Sequence, residues 1–436
     1  MLFGTAKEII TPIKPMRQAC IGEYTDKYLT VFDDIYVRAL ILEESGIKTG
    51  FMTFDILFHD RSLNDVLEAY AQSEHNIAPG GLVITYTHAH TAPAAKGYNI
   101  GAYEEDYEKF LLERAKICLD RAIYAMTPGT LEWGSFDADY NISRRGKVNG
   151  KHSHDDLIPD PDYPCDKEFT VLCVRDGNHR VRSVLMNYSC HPVFYPEARM
   201  LSGEFPARLC HYIDTAYYGC VSLYCQSACG DVRPLVTAIR NEKNEYEFAP
   251  QDFDVINSFA ATICRDVVAF VDSNGCKKLE FTLPWAYSAF IAELPLEPAP
   301  LSYFEEQAAF YKDAQTGIMK DNIDHIMEIG YDALPETLPL HCQMIRLSPQ
   351  HYIAATGGEP CYGVKKAITA AFPGCKVMLI GYTDDCAYLV DDVLLEEGGY
   401  EPCSYLEYRL KGPLKSGVTA QYTKCFAKAK ANLPNQ

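Results

Sequence analysis

The chain is short of positive charge: 40 lysines and arginines stand against 59 aspartates and glutamates among 436 residues, a formal net charge of −19. Without a basic patch to neutralise phosphates, nucleic acid is excluded as a partner, and an anionic membrane surface would repel the protein. No apolar run approaches the roughly 20 residues that span a bilayer, so no transmembrane segment is expected. Segments such as Val377 to Ile380 are far shorter. Met1 to Pro12 lacks a basic stretch followed by an apolar one and enters strand-like sequence at once, which reads as a cytoplasmic protein without a signal peptide. The 17 cysteines contain no Cys-x-x-Cys pair and are odd in number. They read as reduced, small hydrophobic side chains of a cytosolic protein. Cys225 and Cys229 come nearest to a ligand pair, but no second pair completes a zinc-thiolate site. A Gly-x-Ser-x-Gly elbow is also missing, which argues against a metal-free serine hydrolase.

What the chain does have is apolar material, 47% of its residues, enough for a large core. Tyr36 to Leu42, Thr49 to Phe54 and Leu82 to Thr87 read as strands, with Ser62 to Glu74 a helix between the second and third. Tyr103 to Met126 carries apolar residues at helical spacing and is expected to be a long amphipathic helix. Thr170 to Val174 and Arg182 to Tyr188 read as a strand pair joined at Asp176-Gly177-Asn178. Glu204 to Thr215 and Phe253 to Val271 read as helices, Ser222 to Gln226 as a strand, and His341 to Leu347 and Tyr352 to Thr356 as strands again. This alternation predicts an α/β fold, a layered mixed β-sheet flanked by helices, in a single domain over residues 1–436. A proline-rich loop from 284 and a helical excursion to about 335 interrupt it. Residues 146–168, with His152, His154, Asp155 and Asp156 close together, read as a solvated loop.

Val83 to Pro93 is the most informative stretch, an apolar strand running into His88-Ala89-His90. Side chains alternate along a strand, so His88 and His90 leave it on one side, where a pair of imidazoles suggests a metal. Other candidate groups share this placement. His191 follows Arg182 to Tyr188, Asp231 follows Ser222 to Gln226, and Glu359 follows Tyr352 to Thr356. Ligand sites of open α/β sheets gather outside strand ends, so these groups are expected to converge on a metal site there. Two imidazoles and a carboxylate form a common set for hydrolytic zinc.

Thr87-His88-Ala89-His90-Thr91-Ala92-Pro93, Asn187-Tyr188-Ser189-Cys190-His191-Pro192, Gly230-Asp231-Val232-Arg233-Pro234, Gly358-Glu359, and Phe372-Pro373-Gly374 through Gly399-Tyr400-Glu401 occur in this order. Together they resemble the motifs of the neutral/alkaline non-lysosomal ceramidase catalytic domain, from Thr5 to about Tyr405. The resemblance is to short family members without the secretion signal and immunoglobulin-like C-terminal domain of the secreted enzymes. It implies Zn²⁺ held by His88, His191, Glu359 and Tyr388, and metal-activated water that hydrolyses the C–N bond of a small-molecule amide. Tyr400, twelve residues after Tyr388, would be a hydroxyl donor in the pocket. His90 would transfer a proton beside the metal. Arg144 would bind a carbonyl oxygen or carboxylate, although Arg145 next to it fits the same register.

The chain departs from the family where the ceramidases read Gly-Asp-Val-Ser-Pro-Asn, because Arg233 stands in place of the serine implicated in catalysis. A guanidinium is always charged and cannot replace a hydroxyl, so a polar or acidic amide is expected rather than ceramide, with Arg233 helping to stabilise the oxyanion. The alternative is a non-catalytic relative that binds a ligand and has lost its chemistry with the serine. Glu204 stands where the family usually has aspartate. Nothing in the sequence indicates an oligomeric state.

Overall fold

The structure is a computed structural model and describes residues 1–20, 27–97, 103–153, 156–196, 198–312, 318–384 and 387–434. Its larger sheet contains β1 (Leu2–Ile9), β2 (Tyr36–Glu44), β3 (Ile47–Phe54), β4 (Leu82–Tyr86), β5 (Thr127–Asp137), β6 (Glu168–Asp176), β7 (Val181–Tyr188) and β8 (Leu223–Gln226). They lie in the order β8-β7-β6-β5-β1-β2-β3-β4, with Lys277–Lys278 added beside β5. The inner pairs are antiparallel, whereas β3–β4 and β7–β8 at the two ends are parallel. A parallel pair needs a crossover, which α1 (Arg61–His75) supplies between β3 and β4 and α3 (Glu204–Ala216) between β7 and β8. Helix α1 starts where the Asp60 carboxylate accepts from Ser62 N and stops where Asn76 turns left-handed. Its buried face includes Leu63, Leu67 and Ala71. Helix α2 (Glu105–Tyr124) buries Tyr107, Leu111, Ala115, Cys118, Leu119 and Ala122 at the spacing read from the sequence.

A second sheet is built from β9 (Ala286–Pro295), β10 (Thr337–Ser348), β11 (His351–Thr356) and β12 (Lys376–Ile380) in that order. Its last pair is parallel, with Ile353 opposite Met378. The two sheets share an apolar layer made by Leu40, Phe51, Val83, Leu185 and Leu223 on one side and Ile345, Ile353, Met378 and Ile380 on the other. Helices α1 and α2 cover the outer face of one half of the larger sheet; α3 and α4 (Phe253–Asp272) cover the other half. Helices α5 (Tyr362–Thr369) and α6 (Val418–Asn432) pack on the second sheet. The architecture is therefore layered α/β, helices outside two stacked sheets. No helix among the described residues is long and apolar enough to cross a membrane.

Two expectations need correction. Most of the proline-rich stretch is not a loop: Ala286–Pro295 pairs with Thr337–Ser348 from Ala286↔Arg346 to Pro295↔Thr337. Pro284 lies before this strand and Pro295 ends it, so its interior keeps every backbone donor. The helical excursion follows as Leu301–Phe310 and Ile318–Ile329, with a small apolar cluster around Phe304, Ile323 and Ile326. Within 146–168, Lys147–Val148 and Lys151–His152 form a short hairpin instead of plain loop. Its Asn149-Gly150 turn has positive φ at both residues, the geometry of a tight hairpin. His154 and Asp155 lie outside the described residues.

Candidate metal centre

Strands β4 and β7 end beside each other across β8, and a single side chain ties their ends together. Gln226 Nε2 donates to Thr87 O and to Cys190 O, each at 3.0 Å. The residue after each carbonyl is a histidine. His88 adopts φ 65°, a left-handed conformation uncommon for a residue with a Cβ and often found where function requires strain. It is held there by His88 N donating to Ile56 O and by its ring Nδ1 against Leu57 O at 3.0 Å. His191 is oriented in the same manner, Nδ1 against Cys229 O at 3.2 Å. A backbone carbonyl on Nδ1 fixes the tautomer that presents an Nε2 lone pair, the usual support of a metal-binding imidazole.

The ligand atoms of His88, His90 and His191 all lie within 4.8 Å of one another, and all three residues are buried. His90 Nε2 stands 3.0 Å from His191 Nε2, while His90 Nδ1 has no hydrogen-bond partner among the described residues. Glu359 reaches the group from the segment that follows β11, its Oε2 3.3 Å from His88 Nε2. That oxygen accepts no hydrogen bond, and the other accepts from Tyr408 OH at 2.8 Å. Glu359 and Tyr388 are opposite residues of a short parallel pair, Glu359–Pro360 with Tyr388–Leu389, so one register places both. Gly230 allows the close approach of this pair to the loop after β8, since a Cβ there would stand 2.7 Å from Glu359 O.

The arginine register is resolved by Glu401. Arg144 Nε and Arg145 Nη1 donate to its two oxygens at 2.9 and 2.6 Å, but the two guanidinium groups then diverge. Arg144 lies over the rings of Tyr388 and Tyr400, 5.2 and 5.4 Å from their centroids, and keeps Nη2 without a partner. Arg145 turns to Gly398 O and Glu397. Tyr400 packs beside Tyr388, yet its hydroxyl donates to Glu407 at 3.0 Å, so the donor expected to face the pocket is already engaged. Arg233 sits between the rings of Tyr195 and Phe248 on the wall of an 870 Å³ cleft, and the Tyr195 ring also meets the edge of His90.

Electrostatics suit a cation at the His88 end. Burial, reinforced by His88 and nearby arginines, pushes His90 and His191 well below the ordinary imidazole range, so both are neutral. Burial alone would raise the Glu359 carboxyl, but His88 and the Tyr408 hydrogen bond bring it below its usual value. The neutral imidazoles of His90 and His191, the Nε2 of His88 and the Glu359 carboxylate, whose buried Oε2 has no donor among the described residues, form a set that fits a divalent metal.

Four contributors escaped the sequence reading. Tyr408, Gln226 and Glu401 act through contacts between distant segments, and no spacing marks them. Glu204 could not be interpreted from sequence. Buried at the start of α3 with φ 51°, it accepts from Thr91 N at 3.0 Å and fixes the turn carrying His90. Burial pushes its carboxyl up to about 8. Of the expected group, His88, His90, His191 and Glu359 come together; Tyr388 stands opposite Glu359 in register with Arg144 over its ring, and Tyr400 and Arg233 lie at the edge.

No family model and no curated protein sequence matches the chain. Solved structures do. The neutral ceramidase from Pseudomonas aeruginosa superposes with a TM-score of 0.71 at 15% identity, over 98% of this chain and 73% of that one. A ceramidase complexed with C2 gives 0.71 at 16% identity, over 100% of this chain and 76% of that one. Likeness over the whole length at so low an identity is likeness of fold, and the chain has the fold of the neutral ceramidases.

Proposed function

We propose that the chain is a zinc-dependent hydrolase of ceramidase type that cleaves an amide C–N bond. His88, His191, Glu359 and Tyr388 would hold the ion. The observation that carries this reading is the paired orientation of His88 and His191, each with Nδ1 committed to a backbone carbonyl and Nε2 turned into the cluster, toward Glu359 and His90 respectively. Zn²⁺ bound there supplies Lewis acidity toward a carbonyl and brings the pKa of a water toward about 7.

The protein's own groups supply the remaining steps. His90, neutral and with Nδ1 unpartnered, accepts a proton from the attacking water and passes it to the leaving nitrogen. Arg144 is anchored by Glu401 through Nε and keeps its unused Nη2 for the developing oxyanion. Water adds to the carbonyl carbon, the C–N bond breaks, and a carboxylic acid and an amine leave. The names of the two solved neighbours make ceramide one substrate to test, whereas Arg233 favours a small polar or acidic amide.

The test is hydrolysis of ceramide, short N-acyl amines and N-acyl amino acids, before and after chelator treatment, with metal content measured on the same protein. Turnover lost to chelator and restored by Zn²⁺ is expected. Turnover indifferent to chelator would overturn the metal assignment. A metal-loaded protein that cleaves none of these amides would favour the ligand-binding relative.

A further inference from the structure

The buried arginines of this protein have acceptors, whereas the half-buried Arg233 has none. Arg38 donates to Asp214 at 2.9 Å, Arg144 and Arg145 share Glu401, and Arg346 reaches the carbonyls of Pro284 and Pro434. Among the described residues, Arg233 has no hydrogen-bond or ion-pair partner, and its Nε is shut away from solvent. Its guanidinium is flanked by two aromatic faces, Tyr195 at 5.4 Å and Phe248 at 4.8 Å. Arg144 adds repulsion to the desolvation, and the pair lowers the Arg233 pKa, opposite in direction to the raised values of Arg38, Arg144 and Arg145. A half-buried guanidinium with its Nε sealed and no partner is only partly solvated, and its planar donors match a carboxylate in two-point geometry. The faces of the exposed Tyr195 and half-buried Phe248 stack on the guanidinium and can accept the apolar part of a ligand.

The cleft beside Arg233 has the opposite sign. It is lined by Asp156, Asp160, Asp162, Glu245 and Glu247, with Lys147 as a further cation. Of its two cations, Arg233 is the one that stands against aromatic faces. Tyr195 connects that place to the catalytic group, since its ring lies 6.1 Å from the ring of His90.

We propose that Arg233, between Tyr195 and Phe248, is a carboxylate-binding subsite that selects amides bearing one carboxylate close to the scissile C–N bond, and that the acidic cleft wall rejects a second negative charge. This rests on the hydrolase reading above for the bond broken, while the binding of the carboxylate stands apart from it.

The experiment compares kcat/KM for N-butanoylglycine, its neutral analogue N-butanoylethanolamine and the dianion N-butanoylaspartate, in the metal-loaded protein and in Arg233→Gln. The expected result is a preference of at least tenfold for N-butanoylglycine over both others, with the glycine-to-ethanolamine ratio falling to about one in the variant. Equal rates on the glycine and ethanolamine compounds would overturn the subsite and leave the hydrolase standing; a dianion cleaved as well as the monoanion would overturn the role of the cleft wall. If none is cleaved the hydrolase reading fails, and calorimetric titration with N-butanoylglycine decides the subsite. Binding at least tenfold tighter to the unmodified protein than to Arg233→Gln supports it, and equal or absent binding overturns it. A thermal melt checks the fold of the variant, whose midpoint should rise once the unpaired charge is gone.

Discussion

At the residue scale the centre is a division of labour among imidazoles that look alike in sequence. His88 and His191 are pinned through Nδ1, whereas His90 is positioned through its backbone by Glu204 and keeps Nδ1 unpartnered. If the proposed zinc hydrolase is right, replacing His90 by Gln should lower kcat by about 10²–10⁴ with zinc stoichiometry retained, the loss expected of a proton-transfer group. His191→Ala should empty the site, which elemental analysis of the purified variant would reveal. Glu401 carries a different burden, because it faces two buried guanidinium groups at once. Glu401→Gln leaves both under-compensated and should cost about 3–5 kcal/mol in denaturant unfolding. A loss under about 1 kcal/mol would mean that water reaches the arginines.

At the scale of elements, the site depends on how closely the loop after β8 approaches the strand bearing Glu359. Gly230 N donates to Pro360 O at 2.9 Å, and a Cβ on Gly230 would meet Cys361 Sγ at 3.0 Å as well as Glu359 O. Backbone on one side and a packed thiol on the other leave little room to shift. Gly230→Ala should destabilise the fold by about 1–3 kcal/mol and weaken metal retention, since displacement of Glu359 moves its carboxylate away from His88. Metal affinity unchanged in a folded variant would show that Glu359 adjusts independently of that loop.

At the scale of the whole molecule, buried carboxyls give stability a definite pH dependence. Burial, aided by the Glu401 charge, pushes Asp231 up to about 7, and burial pushes Asp33 and Asp55 up to about 6. In the unfolded chain an aspartate titrates near about 3.9. Between about pH 4 and pH 7 the folded protein retains protons that the unfolded chain has released, so their contribution to stability is present below this window and lost as pH rises through it. Asp231→Asn should flatten the decline by about 1–3 kcal/mol between pH 4.5 and 7.5, as read from denaturant midpoints. An identical slope in both proteins would place the Asp231 titration outside that range.

The sequence by itself determined the elements and the order of the motifs, because periodicity and turn chemistry are local. The strand ending at His88, the helix Arg61–His75 and the hairpin across Asp176-Gly177-Asn178 follow from residues adjacent in the chain. Proline spacing misled where Pro284 stands before, and Pro295 at the end of, a strand whose interior has no proline. Which groups meet was decided by tertiary structure. Glu359 sits opposite Tyr388 through a parallel register between segments far apart in the chain, and Tyr408 reaches Glu359 with no spacing rule to announce it. Arg144 was separated from Arg145 only by the position of Glu401 between them. The setting of Arg233 likewise belongs to the folded protein, since only tertiary packing seals its Nε and brings Tyr195 and Phe248 against the guanidinium.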